Sequence, residues 1–204
     1  MPAWPGLAAR LEGGLVVVEP LARGHGPGLL AAAADPAVRR WLPWDFAASG
    51  ESFDIWLEDA LARGRNGDEA PFAVLGRETG APIGSTRYLS LRPEHRGLEI
   101  GWTWLARDAW GTGANTEAKL LLLAHAFESL GCMRVEFKTN ARNERARAAL
   151  AALPARFEGV FRKHMLVHDG DVRDSAWYAI TDDEWPEVRA ALEARVAASA
   201  ERAA

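Results

Sequence analysis

Between Leu98 and Leu130 the chain passes from a strand-like segment, Leu98-Glu99-Ile100-Gly101-Trp102-Thr103-Trp104-Leu105, through a turn carrying Gly111 and Gly113. It then enters a long apolar-periodic stretch, Leu120 to Leu130. A strand, a glycine turn and a helix in that order aim several free backbone N–H groups at one point, and the helix dipole adds partial positive charge there. Such a turn suits an anion, and pyrophosphate fits it. A glycine turn ahead of a helix can also be only a turn, so the flanking segments have to decide.

Two nucleotide motifs fail here. A P-loop needs Lys and Ser/Thr straight after its last glycine, but Ala114 follows Gly113 and Lys119 lies more than a turn into the helix. The dinucleotide fingerprint needs a third glycine that is missing. What remains is an anion cradle made of backbone, with no metal and no hydride chemistry implied.

With 204 residues the chain is long enough for one domain with a substantial core. The formal net charge of −4 argues against nonspecific nucleic-acid binding, which needs a basic surface. Cys132 is the only cysteine, so no intrachain disulfide forms; it reads as a buried residue in a cytoplasmic protein. The early Pro2, Pro5 and Gly6 do not read as a secretory signal, and no apolar run reaches membrane-spanning length.

Expected strands cover Leu15–Val18, Phe72–Leu75, Pro82–Leu91, Gly97–Leu105, Cys132–Thr139, 157–168 and 172–180. Expected helices cover Gly24–Ala34, Ser49–Arg63 with Ser49 as cap, Asn115–Leu130, Asn143–Leu153 and Asp183–Ala198. The turn His168-Asp169-Gly170-Asp171 reads as a hairpin connection. Residues 1–14 form a leader, 15–185 one domain and 186–204 a helical tail. The order predicts an α/β (α+β) fold, a mixed sheet covered by helices on both faces.

That order, with Trp41-Leu42-Pro43, Glu99-Ile100-Gly101-Trp102, Trp110-Gly111-Thr112-Gly113, Thr116-Glu117-Ala118, Asn143-Glu144-Arg145-Ala146 and Glu158-Gly159, resembles the GNAT superfamily of acetyl-coenzyme A-dependent N-acetyltransferases. The similarity spans about residues 15–185 and is nearest to the RimJ/RimL-like branch that acetylates ribosomal-protein N-termini. It implies a largely antiparallel sheet with a V-shaped opening between the fourth and fifth expected strands. The pantetheine arm of acetyl-CoA would lie in that opening, against the backbone near Trp104 and Leu105.

The resemblance implies that the coenzyme pyrophosphate sits on Trp110, Gly111, Thr112, Gly113, Ala114 and Asn115. The family pattern Gln/Arg-x-x-Gly-x-Gly/Ala is matched at Gly113 and departed from at Asn115. Asn115 either serves the phosphate through its backbone or caps the helix with its side chain. Asn143 is implied as a further coenzyme contact and is also a natural helix cap. Trp41, Trp44 and Tyr88 are implied to line the acceptor pocket, although aromatics at a proline break also make a hydrophobic plug.

Amide formation needs a neutral amine and therefore a base. Glu99 is the sole acid of its strand, and alternation places Glu99, Gly101 and Thr103 on one face with Ile100, Trp102 and Trp104 on the other. Glu99 is either the base or a strand carboxylate that only hydrogen-bonds. The family's Tyr on the short helix is replaced by Leu150, and the branch's Ser by Ala146. Ser85, Thr86, Tyr88, His164 and water remain as thiolate donors. The expected activity is acetyl transfer to a small-molecule amine or a protein N-terminus by a homodimer, with no membrane or nucleic-acid partner. The alternatives are an inactive acyl-coenzyme A binding module and a partner-binding protein using the aromatics near Trp44.

Overall fold

The computed structural model describes residues 4–167 and 170–203. Eight strands form one sheet in the order β1-β2-β3-β4-β5-β6-β8-β7. They are β1 (Leu11–Glu12), β2 (Val16–Pro20), β3 (Ala70–Gly76), β4 (Pro82–Arg92), β5 (Gly97–Leu105), β6 (Arg134–Asn140), β7 (Arg156–Leu166) and β8 (Val172–Thr181). Among the described residues the six α-helices are α1 (Gly26–Ala32), α2 (Pro36–Arg39), α3 (Gly50–Asn66), α4 (Ala114–Ala124), α5 (Glu144–Ala151) and α6 (Trp185–Ala203). Of the turn expected after β7, His168 and Asp169 lie outside the described residues.

Every neighbouring pair of strands is antiparallel except β5 and β6, which α4 joins as a crossover. That parallel pair is short. Only Gly97, Leu98 and Glu99 meet Arg134, Val135 and Glu136, and beyond them the two strands part. This is the V-shaped opening, and Glu99 stands at its apex.

Two apolar clusters cover the two faces. Leu122, Leu123, Val188 and Leu192 from α4 and α6 pack with Tyr88, Leu98 and Val135 on one side. Phe53, Trp56 and Leu57 of α3 pack with Leu29, Phe46 and Trp104 on the other. Ser49 caps α3 as expected, its Oγ accepting from the Ser52 N–H at 3.1 Å. The helix then runs on to Asn66 and stops at Gly67, which adopts the left-handed conformation. The short α2 was not anticipated. Asp35 starts it by accepting from the Ala37 N–H at 2.8 Å, with Pro36 at the first helical position.

The expected alternation of β5 fails at Trp102, which has φ of 51°. The register against β4 slips between Ser85 and Arg87, a β-bulge. Beyond it Thr103 turns to the α4 side, where its Oγ1 meets that of Thr86 at 2.8 Å. Trp102 turns to the α3 side, where the Arg87 guanidinium lies 4.8 Å from its ring centroid. Thr103 therefore does not share a face with Glu99, and Trp102 does.

Candidate active site

One cleft of about 850 Å³ runs along the splayed strands. Its lining includes Trp41 and Pro43 at one end, Glu99 and Thr103 along the middle, and Gly111 and Asn115 at the other end. The features that the sequence separates by more than seventy residues thus share one cavity.

The anion end is built from α4 outward. Gly111 and Gly113 have φ of 80° and 95°, the left-handed region that glycine occupies without strain. The turn leaves the N–H groups of Asn115 and Thr116 without an acceptor among the described residues, and both residues line the cleft. The N-cap of α4 is Gly113, so Asn115 is the second helical residue and does not cap through its side chain. Thr112 and Ala114 are not on the wall. Thr112 Oγ1 donates to the Ala109 carbonyl at 2.9 Å and accepts from the Ala114 N–H at 3.3 Å, which closes the turn internally.

Trp110 braces this end. Its indole N–H donates to the Leu105 carbonyl at 2.9 Å, so that carbonyl is already engaged. The guanidinium groups of Arg107 and Arg145 lie 4.3 and 3.3 Å from its ring centroid. Two cations against one aromatic ring, beside N–H groups without an acceptor among the described residues, concentrate positive charge at this corner. Asn143 caps α5, its Oδ1 accepting from the Ala146 N–H at 3.1 Å, and it also lines the cleft.

Helix α4 is anchored by a carboxylate. Glu117 is buried and accepts from the N–H groups of Gly14, Leu15 and Val16 at 2.9, 2.7 and 2.7 Å. A Cβ on Gly13 would lie 2.4 Å from the Glu117 carboxyl carbon, so only glycine fits there.

The apex carries the candidate base. Glu99 is 1% exposed; its Oε2 accepts from Lys138 Nζ at 3.0 Å and from Ser90 Oγ at 3.2 Å. Ser90 reaches it because β4 is bulged there, with φ of 50°. Burial raises the pKa of Glu99, and the Lys138 cation pulls it back. Arg173, also buried, lines the cleft and donates through Nε to Ser175 Oγ at 3.1 Å. Burial lowers its pKa, opposed by the charge of Glu99.

The Trp41 end of the cleft differs from expectation at two aromatics. Trp41 lines the cleft with Val38, Leu42 and Pro43. Trp44 is outside the lining and packs against the α3-side core. Tyr88 is fully buried on the opposite face of the sheet, donating to the Leu122 carbonyl at 2.6 Å, so it is not a pocket residue. The strand alternation that puts Glu99 toward the cleft puts Ile100 and its partner Tyr88 under α4.

The candidate thiolate donors narrow in the same way. Ser85 Oγ is spent on the Phe72 carbonyl, and His164 Nδ1 meets Ser175 Oγ outside the cleft lining. The cleft instead holds Lys119, which sequence reasoning passed over. Its Nζ donates to Thr103 Oγ1 at 2.6 Å, and burial depresses its pKa to about 7. The signal was present: Lys119 stands on the apolar stripe of α4, three and four residues before the buried Leu122 and Leu123. The same reasoning missed Lys138 and Arg173, whose strand positions alternate correctly but say nothing about which groove they face.

Comparison with known proteins agrees with the fold. Residues 16–155 match the family described as Acetyltransferase (GNAT) domain. The chain is 30% identical over 152 residues to the "Putative ribosomal N-acetyltransferase YdaF" of Bacillus subtilis (strain 168), covering 72% of this chain and 79% of that one. A GCN5-related N-acetyltransferase from Brucella melitensis superposes with a TM-score of 0.83 at 32% identity, over 93% of this chain and 86% of the other. Mycobacterium smegmatis RimJ, solved with CoA-disulfide, shares the fold at a TM-score of 0.80 and 24% identity, over 94% and 96% of the two chains. The chain belongs to the GNAT family of acetyltransferases.

Proposed function

We propose that this chain moves an acetyl group from acetyl-coenzyme A to a primary amine, on a small molecule or a protein N-terminus, by direct attack. The observation that carries the reading is the continuity of one cleft from the unpaired N–H groups of Asn115 and Thr116 to the buried carboxylate of Glu99. The corner at Gly111, Gly113 and Trp110 fits a pyrophosphate, and the parted edges of β5 and β6 fit an extended amide-bearing arm.

When bound, the coenzyme supplies an acetyl thioester. The residues of the chain do the rest. Asn115 and Thr116 hold phosphate oxygens through backbone donors, and the Arg107–Trp110–Arg145 stack adds positive charge. Glu99 takes the ammonium proton, directly or through a water, and releases a neutral nitrogen; its C–N bond forms as the thioester C–S bond breaks, and the departing thiolate takes up, through water, the proton that the acylated nitrogen sheds. Lys138 keeps that carboxylate ionised. Aromatic and apolar walls at Trp41, Leu42 and Trp102 exclude water from the acceptor end.

Coenzyme binding can be separated from folding at Asn115. An aspartate at the second position of α4 favours the helix dipole but repels phosphate. Asn115→Asp should keep or raise the melting temperature of the free protein and abolish stabilisation by acetyl-CoA. If the variant is stabilised as much as wild type, the phosphates bind elsewhere.

A second reading, an inactive acyl-coenzyme A binding module, draws on the ion pair that engages Glu99 and on Leu150 and Ala146 standing where hydroxyls would. Coenzyme binding without turnover on any amine would favour it.

A further inference from the structure

Helix α6 lies wholly outside the 16–155 segment that matches the family, yet its last turns help to build the cleft. It packs along α4 and brings Ser199 against the glycine turn: a Cβ on Gly113 would lie 2.6 Å from Ser199 Cβ. Arg195 donates to the Ala152 carbonyl just past α5, so the helix bridges α4 and α5, which flank the anion corner. Arg202 Nη2 donates to Ser199 Oγ at 2.9 Å, and Ser199 Oγ donates to the Arg195 carbonyl at 2.9 Å. Arg195, Ser199 and Arg202 all line the cleft, whose wall also includes Gly111 and Asn115.

The charge arrangement needs an explanation. The chain as a whole is acidic, at −4. Neither Arg195 nor Arg202 pairs with a carboxylate among the described residues, whereas Arg189, on the same helix, pairs with Glu128 and Glu193. The C-terminal end of a helix is itself partially negative and repels anions. Its arginines must therefore supply whatever attraction this wall offers. Coenzyme A carries a ribose 3′-phosphate besides its pyrophosphate, and the backbone donors of the glycine turn serve only the latter.

We propose that α6 is a coenzyme-binding element of this chain and that Arg195 and Arg202 hold the 3′-phosphate. The proposal rests on the coenzyme reading above and is tested apart from it. Titration calorimetry on the full chain compares coenzyme A with 3′-dephospho-coenzyme A. Wild type should bind coenzyme A more tightly by about tenfold or more, the value of one or two charge-assisted hydrogen bonds. Arg202→Ala should weaken coenzyme A by about fivefold to tenfold and leave the dephospho form nearly unchanged. Arg195→Gln with Arg202→Ala should bring the two ligands to equal affinity.

A wild-type protein that binds both ligands equally overturns the proposal and leaves the coenzyme reading intact. A wild-type protein that binds neither overturns both. Equal losses for the two ligands in Arg202→Ala also overturn it, because α6 would then act only as packing. The melting temperature of each variant without ligand shows whether α6 remains docked.

Discussion

At the residue scale, the proposed chemistry depends most on Glu99. The residue type and strand position were readable, but its neighbours were not. Lys138 is thirty-nine residues away along the chain, and Ser90 reaches the carboxylate only through a bulge in β4. Glu99→Gln keeps the shape and removes proton acceptance, so the turnover rate should fall by about 10²–10⁴ with coenzyme affinity unchanged. The sign of the pH dependence follows from burial. A raised carboxyl pKa delays ionisation, so activity should rise with pH through a value above the ordinary carboxylate range. That limb should vanish in Glu99→Gln, and Lys138→Met should move it to higher pH. A pH–rate profile of the three proteins checks all three statements.

Lys119 carries a prediction about stability. Its folded pKa of about 7 lies below the ordinary lysine value of 10.5. Between those values the unfolded chain holds a proton that the folded chain does not, so stability rises with pH across this window. Lys119→Met should remove that contribution, a slope difference of about 1.4 kcal/mol per pH unit. Urea unfolding of both proteins from pH 7 to 10 measures it, and parallel curves would contradict a neutral buried amine.

At the element scale, periodicity made nearly every strand and helix legible, because apolar spacing and caps such as Ser49 and Asn143 are local signals. The bulge at Trp102 was not legible. The run Glu99 to Trp104 alternates in the sequence, and the positive φ of Trp102 with the pairing of Thr86 and Thr103 across the strands shows where the pattern slips. The docking of α6 was hidden for a similar reason: an alanine-rich charged helix reads as solvated until its partner surface is known.

The glycine turn gives a graded test of that docking. Gly111→Ala meets no neighbour within 4 Å and should cost only the left-handed backbone strain, about 1–2 kcal/mol. Gly113→Ala adds a clash with Ser199 and Leu15, so it should cost roughly 1–3 kcal/mol more. Glu117→Ala strands three backbone donors and should cost roughly 2–4 kcal/mol. Denaturant midpoints rank the three variants, and equal losses at Gly111 and Gly113 would mean α6 is not seated on the turn.

At the scale of the whole molecule, one cavity joins an anion corner, a parted pair of strands and an aromatic-walled end. The family resemblance implied the parting of β5 and β6, which the sheet shows; composition alone indicated only a globular acidic chain. Self-association is expected at the sheet edge. β7 closes the sheet on one side only and leaves Phe157, Val160 and Phe161 exposed. A homodimer is the predicted state, and light scattering that reports a monomer over a wide concentration range would contradict it.

The coenzyme should stabilise the whole fold by roughly 2–3 kcal/mol at about a hundredfold excess over its dissociation constant, a rise of roughly 5–10 °C in melting temperature. Acetyl transfer itself is measured by mass analysis of an amine library, with peptides bearing free N-termini, incubated with wild-type protein and acetyl-CoA. An acetylated amine should form with stoichiometric release of coenzyme A thiol, at a rate that collapses in Glu99→Gln. Coenzyme bound, and no amine acetylated across the library, would contradict it.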